Sequence, residues 1–536
     1  MLNQTATSFF EREYPLIRLF KHGVDNVIYD AKPHFAFILS DEELALLLDV
    51  LNDRTEDRIK EIHSASLSPE KIKNLCLKFR ELRRSGVFIK GPLDKISPVD
   101  RDGIRDQLKY YEENILLRKF CLEVTENCNF RCTYCKRTIA ERSGGHFTTD
   151  LSEEKAFLGI RYYFGKYTSF FAGLPGEKKE LLLQIVPPGL SWYGGEPFLN
   201  FNLIKSTAEY FKALPWDEYS IDTGNLHFTA NTNLSIMNDE ILHFLVDNQV
   251  GLYASLDGPA EEHDKCRVFG DGLGTFETAF SNLLKIKDFD EGYFKKHVSL
   301  FGVYTDRHDH KKCTEFNRSL GVSRCEHFPA QYTGVFVTDV EAAIKSYKNS
   351  FQESLQNFRA RAREESKKQD IDMDLFSGLF AFSNLNVDHP SGKNSMNISI
   401  TCPMGFDNLM VAANGDFLIC HKSDGNMPIG NCDSGLDLEK LIDLNEKYNS
   451  SINNRECKNC WAVNFCRICA AARMSPDGFV NPTRRECDFF RLATEFRFAC
   501  FLSLSEEHPD LLQKITDYRN DPKHYVGVID KNEFQK

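Results

Sequence analysis

Between residues 120 and 333 the chain alternates short apolar segments with helical ones. FCLEVT, LSWYGGEP, LHFTANTN, VGLYASLDG, HVSLFGVYT and EHFPAQYT are the strand candidates. Such alternation demands parallel strands with crossover helices, because a tight turn cannot join two parallel neighbours. It leaves a barrel or a doubly wound sheet. The chemically conspicuous residues, including Cys128, Cys132, Cys135, Gly194, Gly195, Glu196 and Ser255, all follow the C-terminal ends of these segments. In an α/β barrel that rim is where active sites form.

The flanks read as separate units, as expected of 536 residues, too many for one hydrophobic core. Over residues 1–95, NVIYD and HFAFILS are strand candidates, and Ser40 with Glu43 forms a capping box ahead of Leu44, Leu47, Leu48 and Leu51. A second helix starts at Ser68–Pro69, places Ile72, Leu75, Cys76, Phe79 and Leu82 on one face and stops at Gly86, before a returning strand VFIKG. This order suggests a winged-helix-like module with Cys76 in its core. Residues 336–398 read as a charged helical bridge with a solvated face, and residues 399–536 hold a second cysteine group.

Seventeen cysteines fall mostly into two groups, three within 128–135 and eight within 402–487. The start of the chain lacks a signal peptide pattern and no apolar run is long enough to span a membrane, so a cytoplasmic protein with reduced thiols is expected. Metal binding is then the leading use of clustered cysteines. A formal charge of −12 argues against nonspecific nucleic-acid binding, which needs basic patches.

ENCNFRCTYC supplies three thiols in the spacing C-x-x-x-C-x-x-C, one short of a tetrahedral zinc, and the nearest downstream histidine is His146. A three-thiolate loop after a strand suits a [4Fe–4S] cluster with one iron open to an exogenous ligand. WYGGEP adds two glycines that permit close backbone approach and a carboxylate that suits an ammonium. In ASLDGPAEEHDKCR, Arg267 offers a guanidinium fork shaped for a carboxylate, whereas Asp257 fits best as a turn residue.

Together these stretches resemble the radical S-adenosylmethionine (SAM) superfamily. The resemblance implies that Cys128, Cys132 and Cys135 hold a cluster whose open iron takes SAM, with Tyr134 the aromatic residue before the last cysteine. It implies that Gly194, Gly195, Glu196 and Pro197 bind the amino group of SAM, that Ser255 and Arg267 hold its carboxylate, and that Asn231 and Thr232 line the ribose pocket. The implied fold is α/β, a partial (β/α)6 TIM-like barrel over residues 110–335.

Cys402, Gly415 and Cys420, then CKNCWAVNFCRIC and Cys487, resemble the SPASM pattern for two auxiliary [4Fe–4S] clusters. The resemblance assigns Cys457, Cys460, Cys466 and Cys487 to the outer cluster and Cys402, Cys420 and Cys469 to the inner one. Two residues separate Cys466 from Cys469, where three is commoner. Cys432, in IGNCDSG, is a candidate fourth inner ligand; the alternative is an open iron. Cys121, Cys266, Cys313, Cys325 and Cys500 belong to no motif and read as structural thiols.

SPASM enzymes act on peptides or proteins, and the N-terminal module is similar to leader-binding domains of ribosomal-peptide maturases, which add an extended leader to a sheet edge. A structural cap on the barrel is the plainer alternative. In sulfatase-maturing relatives an acidic residue commonly follows the cysteine corresponding to Cys420; here it is His421, still able to take a proton. The expected activity is hydrogen abstraction from a precursor peptide by a 5′-deoxyadenosyl radical and formation of a thioether, C–C or aryl crosslink. Formylglycine formation, epimerisation and a zinc-stabilised peptide-binding scaffold are the alternatives. SAM and three [4Fe–4S] clusters are the implied cofactors. The implied partners are a precursor peptide with its leader and an electron donor such as flavodoxin or ferredoxin, without nucleic acid or membrane.

Overall fold

The computed structural model describes residues 2–98, 100–142, 147–305, 307–329, 331–332, 335–336, 340–369, 371–382, 386–387, 402–423, 427–466, 469–475, 478–520 and 529–532. His146, Ala330, Thr333 and residues 388–398 of the expected bridge lie outside the described residues.

The N-terminal unit begins with the helix Leu2–Glu13 and an antiparallel meander of β1 (Ile17–His22), β2 (Asp25–Asp30) and β3 (Phe35–Leu39). Helices Asp41–Leu51, Glu56–His63 and Pro69–Arg84 pack beneath it. Ser40 and Glu43 make the expected capping box, and Cys76 is fully buried. The returning strand VFIKG does not form. Phe88 instead turns at φ 57°, donates its N–H to Asp30 Oδ2 at 2.8 Å and stacks on Phe37 at 5.2 Å. The fourth strand of this sheet is Asn386–Val387, parallel to β3 at Phe35–Ala36. The β3 edge is therefore partly paired by a segment some 350 residues away in sequence, and β1 forms the other edge of the sheet.

All six expected strands of the central unit form. β4 (Lys119–Thr125), β5 (Gly189–Gly194), β6 (His227–Thr232), β7 (Gly251–Ser255), β8 (Val298–Tyr304) and β9 (Arg324–Pro329) are parallel and adjacent in sequence order. That order is singly wound, as in a barrel, and excludes the doubly wound alternative, whose strand order reverses at a switch point. Phe120, Leu122, Trp192, Ala230, Leu252 and Ala254 pack on the helices. With side-chain period two, Glu123, Tyr193, Asn231, Tyr253 and Ser255 point to the concave face.

Beyond β4 the sheet continues through β10 (Asn408–Val411), parallel to β4, and then antiparallel β11 (Asp416–Leu418), β12 (Gly430–Asn431) and β13 (Gly435–Leu436). The bridge helix Val340–Glu365 buries Ile344, Leu355 and Ala362, so its charged face is only one of two. It packs along the long helix Arg484–Glu507, with Arg359 Nε donating to Ser503 Oγ at 3.0 Å. Among the described residues no helix is long and apolar enough to cross a membrane.

Candidate functional site

The loop after β4 is pinned on two sides. Arg131 N–H donates to Val268 O at 2.7 Å and Thr133 N–H to Cys266 O at 2.9 Å, while Gly195 N–H donates to Thr125 O at 2.9 Å and Glu196 N–H to Asn127 O at 2.8 Å. These bonds hold Cys128, Cys132 and Cys135 at the C-terminal rim of the barrel. Burial pushes the Cys128 thiol up to about 11 and Cys132 up to about 12, and in Cys132 the Arg267 guanidinium opposes that rise. Asn233 Nδ2 lies 3.7 Å from Cys128 Sγ and 3.1 Å from Asn129 Oδ1, a contact that the sequence did not flag.

Asp257 does more than stabilise its turn. Its carboxylate accepts from Val303 N–H and Tyr134 OH, both at 2.8 Å, and faces Arg267 Nε at 3.0 Å. Arg267 lies over the Tyr134 ring at 5.5 Å and both members of the ion pair are buried. Breaking such a pair strands a buried charge, at a cost of about 3–5 kcal/mol. Tyr134, Asp257 and Arg267 thus form one rigid support beside Cys132.

The glycine pair has a different reason from the one expected. A Cβ on Gly194 would stand 2.2 Å from Thr125 O, and one on Gly195 2.1 Å from Asn127 O. Close approach is required here by the cysteine loop itself. Glu196 is fully buried, accepting from Asn233 N–H at 2.7 Å, Thr232 Oγ1 at 2.9 Å and Phe198 N–H at 3.2 Å. Burial pushes its carboxyl up to about 7, and those donors oppose the rise. Glu196 therefore ties GGEP to the end of β6. Pro197 opens the short 3-10 turn Pro197–Asn200.

Asn231 and Ser255 are half-buried on the concave face, in the register Asn231 to Tyr253 and Ser255 to Phe301. His421 reaches the concave face from the connection between β11 and β12, with its ring 5.3 Å from that of Tyr193. It meets solvent, yet the surrounding walls hold its imidazole down to about 4, with Lys422, Lys119 and Lys136 adding repulsion. The imidazole is neutral near pH 7 and able to accept a proton. Glu123, missed in the sequence, accepts from Arg137 and from Ala413 N–H, and so joins the helix after Cys135 to the turn between β10 and β11.

Cys402, Cys420 and Cys469 come together: burial raises the Cys402 and Cys420 thiols, and Cys469 adds repulsion to both. Cys432 does not join them. Its N–H donates to Gly415 O at 2.9 Å, which places it at the opposite end of the hairpin from Cys420, on the order of 10–15 Å along the strands. Its thiol packs into the apolar core, 3.5 Å from where a Cβ on Gly159 would stand. The candidate fourth inner ligand is thus corrected to a core residue.

Burial and mutual repulsion place Cys457, Cys460 and Cys487 in a second group, with the Cys487 thiol raised to about 11. Cys466 is half-buried against the main hydrophobic core, as Cys420 of the inner group is, so its place in the outer group rests on the sequence pattern. Asn454 caps its helix and points Nδ2 to Cys457 Sγ at 3.4 Å. Arg491 faces Cys460 and Cys487, and their thiolate forms favour its charged guanidinium where burial opposes it. Its position one helical turn after Cys487 is the sequence signal that could have found it.

Among the described residues no three His, Cys, Asp or Glu side chains converge on a single metal ion. The thiolates of a cubane each bind a separate iron, so such a site does not require that convergence. Grouped thiols with Arg267 beside one set and Arg491 beside another fit anionic iron–sulfur clusters.

Residues 122–291 match the family model of the Radical SAM superfamily. The chain is 22% identical over 413 residues to the radical SAM cyclopropyl synthase TigE of Paramaledivibacter caminithermalis, covering 73% of this chain and 76% of that protein. It is 24% identical over 156 residues to an uncharacterized protein of Methanocaldococcus jannaschii, covering 29% of this chain and less than half, 44%, of that relative. The solved structure of native anSMEcpe with bound AdoMet and Cp18Cys peptide matches with a TM-score of 0.51 at 17% identity, over 74% of this chain and 99% of that one. That likeness establishes a shared fold.

Proposed function

From the premise that this chain carries a radical SAM domain, we propose that it abstracts a hydrogen from a residue of a ribosomal precursor peptide and forms an intramolecular crosslink. The observation that carries this reading is the grouping of Cys128, Cys132 and Cys135 at the barrel rim beside the buried Arg267–Asp257 pair. When bound there, a [4Fe–4S] cluster and SAM would supply one-electron cleavage of the sulfonium to a 5′-deoxyadenosyl radical.

The chain's own residues set up that chemistry. Asp257 and Tyr134 hold Arg267 beside Cys132, where its charge suits the carboxylate of SAM. Asn231 and Ser255 line the cavity that would take the nucleoside and the peptide. Glu196 braces the GGEP turn, so recognition of the SAM ammonium falls to the rim that Glu196 supports. His421, neutral near pH 7, is in reach of the cavity to take the proton that a ring-forming oxidation releases. Cys402, Cys420 and Cys469, and Cys457, Cys460, Cys466 and Cys487, would hold two auxiliary clusters that accept the second electron. With Cys432 removed from it, the inner set comprises three cysteines among the described residues.

TigE is by name a cyclopropyl synthase, which favours carbon–carbon bond formation over a thioether. The anSMEcpe structure holds a cysteine-containing peptide, which supports a peptide as the occupant of the cavity. A leader added to the N-terminal sheet would pair along β1 at one edge or extend or displace Asn386–Val387 at the other.

Anaerobic reconstitution tests the reading. Expected are about twelve irons per chain, 5′-deoxyadenosine under dithionite, and loss of that product in Cys132→Ala. Colourless, zinc-bound protein would favour the peptide-binding scaffold. A peptide product lighter by two hydrogens marks a crosslink, whereas an unchanged mass marks epimerisation.

A further inference from the structure

The outer cysteine group is one of the places where the N-terminal unit meets the rest of the molecule; β3 also pairs with Asn386–Val387 and Phe20 packs on Phe498 at 5.3 Å. Between Cys460 and Cys466, Trp461, Ala462, Val463 and Phe465 are all buried. The Tyr29 ring of β2 lies 5.4 Å from Phe465 and 6.3 Å from Trp461, and the His34 ring lies 5.3 Å from Phe465. Asn464 donates from Nδ2 to Tyr29 OH at 3.0 Å and to Ala31 O at 2.6 Å. On the rim Arg18 lies over Trp461 at 5.8 Å and donates to Glu495 at 2.7 Å.

The linker out of the unit is stitched to the same place. Leu93 N–H donates to Lys458 O at 2.9 Å, one residue after Cys457, and Ile96 N–H donates to Asn453 Oδ1 at 2.7 Å. Asn449 and Asn453 in turn donate to Pro98 O at 2.7 Å and to Ser97 O at 3.1 Å. Both the unit and its tether therefore rest on residues 449–466.

That platform has little regular structure near its thiols. Between Cys457 and Cys466 the elements are the end of the four-residue helix Arg455–Lys458 and the three-residue turn Val463–Phe465, whereas Asn449 and Cys487 sit on the longer helices Leu438–Ile452 and Arg484–Glu507. A segment this short has few backbone bonds to hold its shape, and in such sites the free energy of metal binding is folding free energy. Cys457, Cys460 and Cys487 lie near enough for their charges to interact, with Arg491 beside Cys460 and Cys487 and Asn454 Nδ2 3.4 Å from Cys457 Sγ.

We propose that the outer four-cysteine site is the docking platform for the N-terminal unit, with cluster occupancy shaping the 457–466 loop and Asn464 latching the unit to it. The inference rests on the cluster assignment above, and it gives that cluster a mechanical role besides electron transfer. Loss of the outer cluster loosens the N-terminal unit at this contact, while its pairing with Asn386–Val387 and its packing on Phe498 remain.

Hydrogen exchange on the full chain, reconstituted anaerobically, is the test. Cys487→Ser should lose about a third of the iron and raise exchange across residues 26–39 and 91–98 at least about tenfold. Cys402→Ser, which removes an inner ligand, should leave exchange in both segments as in the parent. Asn464→Ala should keep all iron and still loosen residues 26–39. Parent-like exchange in Cys487→Ser with the iron missing, equal loosening by Cys402→Ser, or no change in Asn464→Ala would each overturn the proposal. A parent chain that binds no iron would sink the cluster assignment instead, and Asn464→Ala would still report on the latch.

Discussion

Gly195→Ala isolates what the glycine pair is for. The added methyl carbon would sit 2.1 Å from Asn127 O and 2.4 Å from its carbonyl carbon, over an ångström inside ordinary contact. Neither neighbour is a flexible side chain, so the backbone of residues 126–127 has to move. The bonds from Gly195 N–H to Thr125 O and from Glu196 N–H to Asn127 O, 2.9 and 2.8 Å, span the same contact and would stretch with it. Overpacking at about 1–3 kcal/mol and two hydrogen bonds at about 1 kcal/mol each sum to roughly 3–5 kcal/mol. At about 1.4 kcal/mol per decade this shifts the loop towards an open state by roughly a hundredfold or more. The loop carries all three thiols, so the variant should lose about four irons on reconstitution without SAM, and hydrogen exchange over residues 125–135 should rise. A Gly195→Ala protein that keeps its full iron and only binds SAM more weakly would refute this reasoning, because the glycine would then serve the ligand and not the loop.

Cys432→Ala should keep the parent iron content and lower the unfolding midpoint by an amount equivalent to about 1–2 kcal/mol for a buried side-chain atom; lost iron would restore Cys432 as a ligand. Asp257→Asn leaves Arg267 buried beside Tyr134 without its counter-charge and should cost about 3–5 kcal/mol, seen as a lower midpoint and reduced SAM cleavage, whereas parent-like values would mean that the pair is dispensable. Arg491→Met removes the cation facing Cys460 and Cys487 and should lower the potential of the cluster held there, measured by redox titration with electron paramagnetic resonance; an unchanged potential would place Arg491 outside its field. Burial holds His34 down to about 4, below the value of an unfolded histidine, so the folded state binds its proton less readily. Its contribution is fully present above pH 6.5 and is lost as pH falls towards 4, up to about 3 kcal/mol. His34→Gln should flatten the loss of midpoint between pH 7 and 5, and an unaltered slope in the variant would contradict this.

Local signals in the sequence located what is local. The six strands of the barrel, the capping box at Ser40, the helix from Pro69 and the three-cysteine loop all follow from periodicity, caps and spacing within short windows. The failures lie where distant segments decide. VFIKG has strand composition, yet Asp30 and Phe37 capture Phe88 in a turn. Cys432 is near Cys420 in sequence but is turned into the core by the hairpin register. Glu196 looked like a ligand for an ammonium because its role in bracing the end of β6 depends on Thr232 and Asn233, which sequence proximity does not reveal. The charged bridge helix hid its apolar stripe because its partner, Arg484–Glu507, lies more than a hundred residues on.

The pairing of β4 with β10 also sets a timetable for synthesis. Arg118, at the threshold of the first barrel strand, waits for Asp407, 289 residues later, and β4 gains its second neighbour only with Asn408–Val411. At roughly 5–20 residues per second a ribosome needs about 15–60 s to deliver that strand. For that interval the nascent barrel presents a bare parallel edge, the kind of surface that recruits other chains. Truncations that end before residue 408 should therefore aggregate rather than yield a free-standing barrel, and expression at low temperature with ample chaperone should favour the full-length protein.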